Sequence, residues 1–370
     1  MTQEERDART GGQWWRSIGG HVDIPLTELW KIGREILGTR GASLEQANFV
    51  LKPIIDKVTQ GDHSRGLPLI ARLASLADQG KLRFEATIAV RNVASGCATV
   101  EGDAGASIDL LGRTAMDSAM SLAGRNGIGL AVLKSPLGVL TPFVEMALAS
   151  RMIGIVISQS AAMVAPLGGM KPLLGNAPIA IGVPAGSHAP VIMDMSLTQS
   201  STSGILLAAR QGQMVPEGLI FDQHGAPTNQ PEEFVDLEAL DAGRLRIIGS
   251  LATLGNSHKG YALNLIFNLL PLALCRSDPP WTGAEGTQAR GFGSLLLAVD
   301  PAAFGPVDEV LAQVDAFIDH LKATGRKAGV DAILYPGERS QALKAQRNLD
   351  GIVRVPASQW QSLLQLHGTA

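Results

Sequence analysis

The sequence is poor in aromatic residues and carries almost no net charge. Phe, Trp and Tyr make up 4% of the 370 residues, which favours a core of small aliphatic side chains. The 31 Lys and Arg residues nearly balance the 34 Asp and Glu residues, for a net charge of −3. Because nucleic-acid binding depends on clustered basic residues, we expect no nucleic-acid partner. Hydrophobic residues at 45% against 18% charged residues exclude an intrinsically disordered chain.

Cysteine is scarce, and long apolar runs are missing. Cys97 and Cys275 lie far apart in apolar surroundings, which predicts free buried thiols rather than a disulfide framework or a metal site. Residues 1–7 are charged and lack the apolar segment of a signal peptide. The longest apolar stretch, residues 263–275, is interrupted by two asparagines and a proline, whereas a membrane span needs roughly 18 apolar residues. We therefore expect a cytoplasmic protein without a membrane partner.

The pattern of polar and apolar residues changes along the chain. Residues 1–24 are polar and Gly-rich and form an N-terminal arm, and residues 25–83 have helical periodicity. A capping box at residues 43–46 begins one of these helices. From residue 84 to 302, short aliphatic runs alternate with helical segments, and residues 303–370 return to helices. Such alternation predicts an α/β layer structure.

Individual elements of the α/β segment follow from its apolar runs. Strands are expected at residues 129–133, 153–158, 179–183, 191–195 and 293–299. A buried helix is expected at residues 259–275, and a second capping box at residues 358–361 precedes the last helix. Residues 212–241 are rich in Pro, Gly and Asn, which predicts a long surface loop.

Familiar nucleotide and metal motifs are missing. The sequence has no Walker loop, no GxGxxG after a strand, no HExxH and no Cys/His cluster. Loops that bear glycine and lysine remain. One of them, before Lys171, is Pro166-Leu167-Gly168-Gly169, whose glycines would let an anion approach the backbone.

Two further segments suit an anionic ligand. His258-Lys259-Gly260 begins the most apolar helix, where backbone amides and a lysine attract phosphate. Asp194-Met195-Ser196 ends a strand, where ligand-binding groups of α/β sheets often lie. Taken alone, each of these features is better explained by turn glycines, solvated lysines or a helix-capping aspartate.

Several short motifs occur together in one order. They are Gly127-Ile128-Gly129, Ile155–Ser160, Pro166–Gly169, Leu174-Gly175, Pro178-Ile179-Ala180, Asp194-Met195-Ser196, Asp222, Gly225–Thr228, His258–Tyr261 and Pro336-Gly337-Glu338. With this order and spacing, the chain from about residue 27 to residue 366 resembles the malate/L-lactate dehydrogenase type 2 family. That family includes ureidoglycolate dehydrogenase, diketogulonate reductase and piperideine-2-carboxylate reductase.

The resemblance implies a fold, a cofactor and an assembly. The fold is α/β with a non-Rossmann dinucleotide-binding domain at residues 84–302. Residues 25–83 and 303–370 form a helical domain that dimerises, and the active site lies between the two domains. The family uses NAD or NADP and is usually a homodimer. By resemblance the dinucleotide is lined by Ser160, Pro166, Leu167, Gly168, Gly169, Asp194, Met195, Ser196, His258, Lys259 and Gly260.

The chain departs from the family on the substrate side. The family's Ser-His-Gly signature reads Ser64-Arg65-Gly66, and Leu69 stands where the family has an arginine for the substrate carboxylate. The family's acid/base histidine falls in Lys134–Gly138, where Pro136 replaces it. The family's Gly-Thr-Asn-Pro has become Gly175-Asn176-Ala177-Pro178.

The loss of both histidines bears on the chemistry. Hydride addition to a ketone leaves an alkoxide that needs a proton donor, whereas an imine can enter already protonated. Imine reduction is therefore slightly favoured. Arg65 is the candidate partner for a substrate carboxylate, because guanidinium binds carboxylates with two hydrogen bonds. His63 and Lys134 are the candidate proton carriers, although a surface histidine and a solvated lysine explain them as well. With Ser64, these residues form the predicted catalytic set.

Two functional hypotheses stay open. The first is an NAD(P)-dependent oxidoreductase acting on a small carboxylate substrate, namely a 2-imino, 2-oxo or 2-hydroxy acid. The second is a scaffold that has lost hydride chemistry and works as a lyase or isomerase of an amino-acid derivative, or as a non-catalytic ligand binder. No readable motif separates NAD from NADP.

Overall fold

The computed structural model describes residues 20–62, 66–241, 245–282 and 291–368. Within these residues the α-helices are α1 (Leu26–Gly38), α2 (Leu44–Thr59), α3 (Leu67–Asp78), α4 (Ile108–Asn126), α5 (Thr141–Ala149), α6 (Thr202–Arg210), α7 (Leu237–Asp241), α8 (His258–Leu274), α9 (Val307–Ala323), α10 (Glu338–Asp350) and α11 (Ala357–His367). Short 3-10 turns occur at Pro231–Glu233, Leu254–Asn256 and Pro301–Ala303.

The strands in the described parts of the chain form three sheets. They are β1 (His21–Pro25), β2 (Ile88–Ala94), β3 (Cys97–Gly102), β4 (Ile128–Leu133), β5 (Ile153–Ser158), β6 (Ile179–Val183), β7 (Val191–Met195), β8 (Ile220–Phe221), β9 (Pro227–Thr228), β10 (Ser250–Leu251), β11 (Ser294–Val299) and β12 (Ile352–Pro356). The large sheet has the order β2-β3-β4-β11-β5-β6-β7, and all neighbours in it are antiparallel except β3 and β4. This mixed α/β architecture confirms the expected fold class and differs from the parallel sheet of a Rossmann fold.

A helical core joins the two ends of the chain. Helices α1, α2, α3 and α11 bury their aliphatic faces together, with Leu29, Leu51 and Ile70 fully buried. The predicted capping box is confirmed, because the Ser43 hydroxyl accepts from the Gln46 amide at 3.2 Å and the Gln46 side chain accepts from the Ser43 amide at 2.9 Å. Strands β1 and β12 pair beside this core. The division of the chain into two domains stays a prediction.

One face of the large sheet is covered tightly by α4 and α5. Ala131, Val156 and Leu296 point to these helices and are buried. Glycine is required where helix and strand approach most closely, since a Cβ on Gly129 would lie 2.0 Å from the Ala119 carbonyl oxygen. The opposite face of the sheet carries half-buried aliphatic side chains, among them Leu130, Val132, Ile155, Ile181 and Met193. We call this the open face.

The predicted surface loop at residues 212–241 is wrong. This segment contains β8, β9, a 3-10 turn and α7, and its apolar side chains form a further core with α6. Val215, Phe234 and Val235 are each at most 4% exposed. The abundance of Pro, Gly and Asn reflects tight turns between short elements. The apolar residues between those turns bury themselves.

Two further element predictions need correction. The capping box at residues 358–361 does not form, because α11 already begins at Ala357 and the structure shows no side-chain cap on its first turn. Ser358 lies inside the helix, where its carbonyl accepts from Ser362. Helix α8 is buried on one face only, and its outer face exposes leucines and an isoleucine. No helix among the described residues is long and apolar enough to cross a membrane.

Candidate active site

Ser160 and the neighbours of two other predicted cofactor segments converge on a short loop at residues 175–176. The Asn176 amide donates to Ser160 Oγ at 3.0 Å, and the Leu197 amide donates to the Asn176 carbonyl at 2.9 Å. The Leu254 amide, just before α8, donates to the Leu197 carbonyl at 3.2 Å. The structure therefore connects Ser160, through its hydroxyl, with the segment after β7 and the residues before α8, which are joined by backbone hydrogen bonds.

Two buried asparagines of α8 hold the same loop. Asn268 Oδ1 accepts from the Gly175 amide at 2.9 Å, and Asn268 Nδ2 donates to the Gly175 carbonyl at 3.2 Å. Asn264 Nδ2 donates to that carbonyl at 3.1 Å. Both side chains are at most 3% exposed. An apolar helix thus turns its polar residues inward, where they satisfy the backbone of the loop.

The structure explains the glycines of these segments in two ways, by close packing and by backbone conformation. A Cβ on Gly260 would lie 1.8 Å from the Leu254 carbonyl oxygen, so packing inside the protein requires this glycine. A Cβ on Gly175 would lie 2.7 Å from Ser160 Oγ. Gly168 has a φ of +81° and open space around it, as an anion-binding loop needs. Gly168 therefore leaves room for a ligand, while packing inside the protein explains Gly260.

The loop from Pro166 to Gly169 is separate from the converging segments. Leu167, Gly168 and Gly169 are exposed, and the next residue, Met170, packs beside Gly225 of the β8–β9 turn. Lys171 is exposed on the same loop. His258 and Lys259 are also exposed, in the first turn of α8, whose Gly260 amide is capped by Ser257.

Asp194 faces away from the open face of the sheet. Its Oδ2 accepts from the amide of Thr141 at 3.2 Å and from the hydroxyl of the same residue. The Nζ of Lys57 lies 3.6 Å from that oxygen. Met195, the next residue, packs instead among the side chains of the open face. The Asp194 carboxylate therefore links β7 to α2 and α5. A cofactor contact of this residue stays a prediction.

The predicted substrate-side residues are only partly described. His63, Ser64 and Arg65 lie outside the described residues, so their catalytic role stays a prediction. Lys134 is exposed at the end of β4. The loop after it is fixed to the end of β5, because the Leu137 amide donates to Ser158 Oγ at 2.9 Å. Lys134 is the one member of the predicted catalytic set that lies within the described residues.

Sequence reasoning missed Lys57 and Gln60. Both face a small cavity of about 10 Å³ whose opposite wall includes Val139 and Thr141. The Lys57 side chain is 12% exposed, and Gln60 is 9% exposed. A signal was present in the helix periodicity, since Lys57 lies four residues after the buried Pro53 and three before Gln60. That spacing places all three on one side of α2.

A network of charged side chains near this cavity joins helix α2 to α5, which covers the sheet. Lys52 lies 2.7 Å from Glu145, and Lys344 lies 2.7 Å from Asp56. Burial acts to lower the pKa of Lys52, but the carboxylates of Asp56 and Glu145 outweigh it and hold this pKa above its ordinary value. The network joins α2, α5 and α10. In the described parts of the chain, no three His, Cys, Asp or Glu side chains form a metal-binding group.

The comparisons with known proteins assign the family. The chain belongs to the malate/L-lactate dehydrogenase family, whose model matches residues 24–364. It is 30% identical over 331 residues to L-sulfolactate dehydrogenase of Methanothermobacter thermautotrophicus, covering 87% of this chain and 90% of that one. It is 27% identical to Delta(1)-pyrroline-2-carboxylate/Delta(1)-piperideine-2-carboxylate reductase of Pseudomonas putida, covering 94% and 97%. The expected family is thereby confirmed.

A solved structure agrees over nearly the whole chain. A dehydrogenase from Sinorhizobium meliloti superposes with a TM-score of 0.82 at 25% identity, covering 94% of this chain and 99% of that one. The protein is therefore an oxidoreductase of the dehydrogenase and reductase type, and family membership supports a nicotinamide cofactor. A non-redox activity on the same scaffold is not favoured by relatives that are named dehydrogenases and reductases.

Proposed function

We propose that the protein transfers hydride between the nicotinamide of NAD or NADP and a small 2-imino, 2-oxo or 2-hydroxy acid. The observation that carries this proposal is the hydrogen-bonded arrangement of the cofactor-side segments. Ser160 and Leu197 bond to Asn176, residue 254 just before α8 bonds to Leu197, and Asn268 holds the neighbouring Gly175. Family membership supports the same chemistry, since its relatives are dehydrogenases and reductases.

The surroundings of this arrangement fit a dinucleotide. Lys171 and Lys259 are exposed cations on the predicted cofactor segments, and Gly168 leaves open space beside its backbone. Cations and exposed backbone amides are the groups that bind phosphate. Ser160, Pro166–Gly169, Met195-Ser196 and His258–Gly260 are the residues that would hold the cofactor. When bound, the nicotinamide supplies or accepts the hydride.

Imine substrates are slightly preferred in this proposal. Pro136 cannot carry a proton, and Leu69 packs half-buried against the helical core without a charge for a carboxylate. A protonated imine needs no separate acid when hydride adds to it. Arg65 is the proposed partner of the substrate carboxylate, and His63 and Lys134 are proposed proton carriers beside Ser64.

A fluorescence titration with NADH and NADPH tests the proposal first. Binding of either cofactor is expected, and the tighter one identifies the physiological coenzyme. A panel of cyclic 2-imino acids and open-chain 2-oxo acids then follows, with cofactor oxidation read at its absorbance maximum. We expect higher kcat/KM for imines. Failure to bind either cofactor would refute the function, and equal or higher rates with 2-oxo acids would refute the imine preference.

We also propose that the protein is a homodimer whose interface includes the outer face of α8. Leu263, Ile266, Leu269 and Leu274 are 44–51% exposed on that face, and residues 261–275 contain no charged side chain. A helix that is apolar all round is normally buried. Phe267 of this helix packs against the same buried cluster as the half-buried aliphatic side chains of the open face. A surface without charge complements a second copy of itself better than a charged partner.

Light scattering after gel filtration tests the assembly. Ile266→Glu places a charge in the proposed interface and is expected to give a monomer. Leu349→Glu is the matched control, since Leu349 is 83% exposed on α10, in the helical domain to which the resemblance assigns dimerisation. If the wild type is monomeric, the dimer proposal is wrong. If only Leu349→Glu dissociates the dimer, the interface lies in the helical domain.

A further inference from the structure

Lys57 is a largely buried cation next to Asp194, on the helix that precedes the Ser-Arg-Gly segment in sequence. It lies in the last turn of α2, with its side chain 12% exposed. The chain runs on from it through Gln60 into the Ser-Arg-Gly segment. Across the small cavity stands Thr141, which closely follows Lys134–Gly138. The one lysine of this wall thus lies opposite Thr141 and beside Asp194, a residue of the predicted cofactor set.

The ion pair of Lys57 is looser than those of its neighbours. Its Nζ lies 3.6 Å from Asp194, whereas Lys52 and Lys344 approach their carboxylates to 2.7 Å. Asp194 Oδ2 already accepts two hydrogen bonds from Thr141. At 3.6 Å the ammonium is attracted by the carboxylate without a hydrogen bond of normal length. Its N–H groups therefore remain available for the cavity.

The cavity has the size and the polarity for a water. Its volume of about 10 Å³ is enough for about one water molecule. Polar partners surround it, because Lys57, Gln60 and Thr141 all contribute to its wall. Asp56 and Glu145 also line it, and both are paired with Lys52 and Lys344. A water here would accept from the ammonium and pass a proton onward.

We propose that Lys57, positioned by Asp194, is the proton source for the reduction of 2-oxo acids in this protein. The inference rests on the proposed function. In that step C2 of the oxo acid gains a hydride from the reduced nicotinamide, and the carbon–oxygen π bond opens. The oxygen takes a proton that originates from the Lys57 ammonium, which becomes a neutral amine and regains a proton from bulk water. A protonated imine bypasses the proton transfer.

Substrate-dependent kinetics separate this role from a structural one. Lys57→Met removes the proton, and Lys57→Arg keeps a positive charge beside Asp194 but does not release a proton near neutral pH. We expect both variants to lower kcat for a 2-oxo acid by about 100-fold or more, the usual range for a lost general acid. The kcat for a cyclic imine should change by less than about threefold, within the range left when no general acid is needed.

Lys52→Met is the matched control. It is the same substitution on the same helix, and the carboxylates it leaves remain paired with Lys344. Equal losses for both substrate classes in Lys57→Met, or full oxo-acid activity in Lys57→Arg, would overturn the proposal. A wild type that reduces imines but no 2-oxo acid would also overturn it. Cofactor affinity, measured for each variant by fluorescence, distinguishes these results from failure of the proposed function, in which the wild type binds no cofactor.

Discussion

Asn268→Ala tests whether α8 holds the loop at the centre of the candidate site. The substitution removes the Oδ1 that accepts from the Gly175 amide at 2.9 Å, and this backbone donor is buried. A buried donor left without a partner costs about 1–3 kcal/mol. The Gly175 carbonyl loses one bond but keeps the one from Asn264 at 3.1 Å. Asn264 Oδ1 also loses the bond that it accepts from Asn268 Nδ2. We therefore expect a loss of about 2 kcal/mol in the free energy of unfolding from these two buried groups.

Urea unfolding followed by circular dichroism, at fixed protein concentration, measures this loss. Asn264→Ala is the matched control, because it removes one bond to the Gly175 carbonyl and leaves the Gly175 amide paired. We expect about half the loss or less for it, since no buried group is orphaned. Weaker binding of NADH or NADPH should accompany Asn268→Ala. The reasoning is refuted if Asn264→Ala is the more destabilising of the two.

Further predictions follow from individual contacts. Gly260→Ala would drive a Cβ onto the Leu254 carbonyl, and we expect a loss of about 3 kcal/mol in urea unfolding, with unchanged stability contradicting the packing explanation. Three backbone amides after β6 and a serine hydroxyl hold Asp315 and lower its pKa to about 2. Because the folded pKa is depressed, this stabilisation is present above the unfolded value near 3.8 and is lost as pH falls towards 2. The difference in unfolding midpoint between wild type and Asp315→Asn should therefore shrink over that range. Burial raises the pKa of Cys275 to about 11, so a thiol reagent at pH 8 should modify the half-buried Cys97 first, as mass spectrometry of peptides would show.

Local signals in the sequence predict much of the fold. Strands β5, β6 and β7 match the expected bounds, because each is a short aliphatic run closed by turn residues. The capping box at Ser43 forms because its hydroxyl and the Gln46 side chain need only each other. The same four-residue pattern fails at Ser358, since β12 leads directly into the helix one residue earlier. Such a motif caps a helix only where the helix begins directly after the first residue of the motif.

Features that depend on distant residues escaped prediction. β3 pairs with β2, which directly precedes it, but its other partner β4 follows only after a long helix, and the strand escaped prediction. Lys57 resembles a solvated lysine until β7 brings Asp194 against it, 137 positions along the chain. The effect of replacing the family's Gly-Thr-Asn-Pro by the sequence at residues 175–178 can be read only from the backbone conformation. Ala177 has a φ of +45°, a conformation that asparagine adopts more readily than alanine.

The position of β11 has a consequence for synthesis of the chain. This strand lies between β4 and β5, although it follows β5 by more than a hundred residues in sequence. Until the ribosome has released residue 299, the two earlier strands each expose an edge with unpaired backbone groups. Such edges are templates for aggregation. Pairing across so long a separation also slows folding. A nascent chain halted before β11 should therefore depend on a chaperone that masks sheet edges, while one halted after it should not.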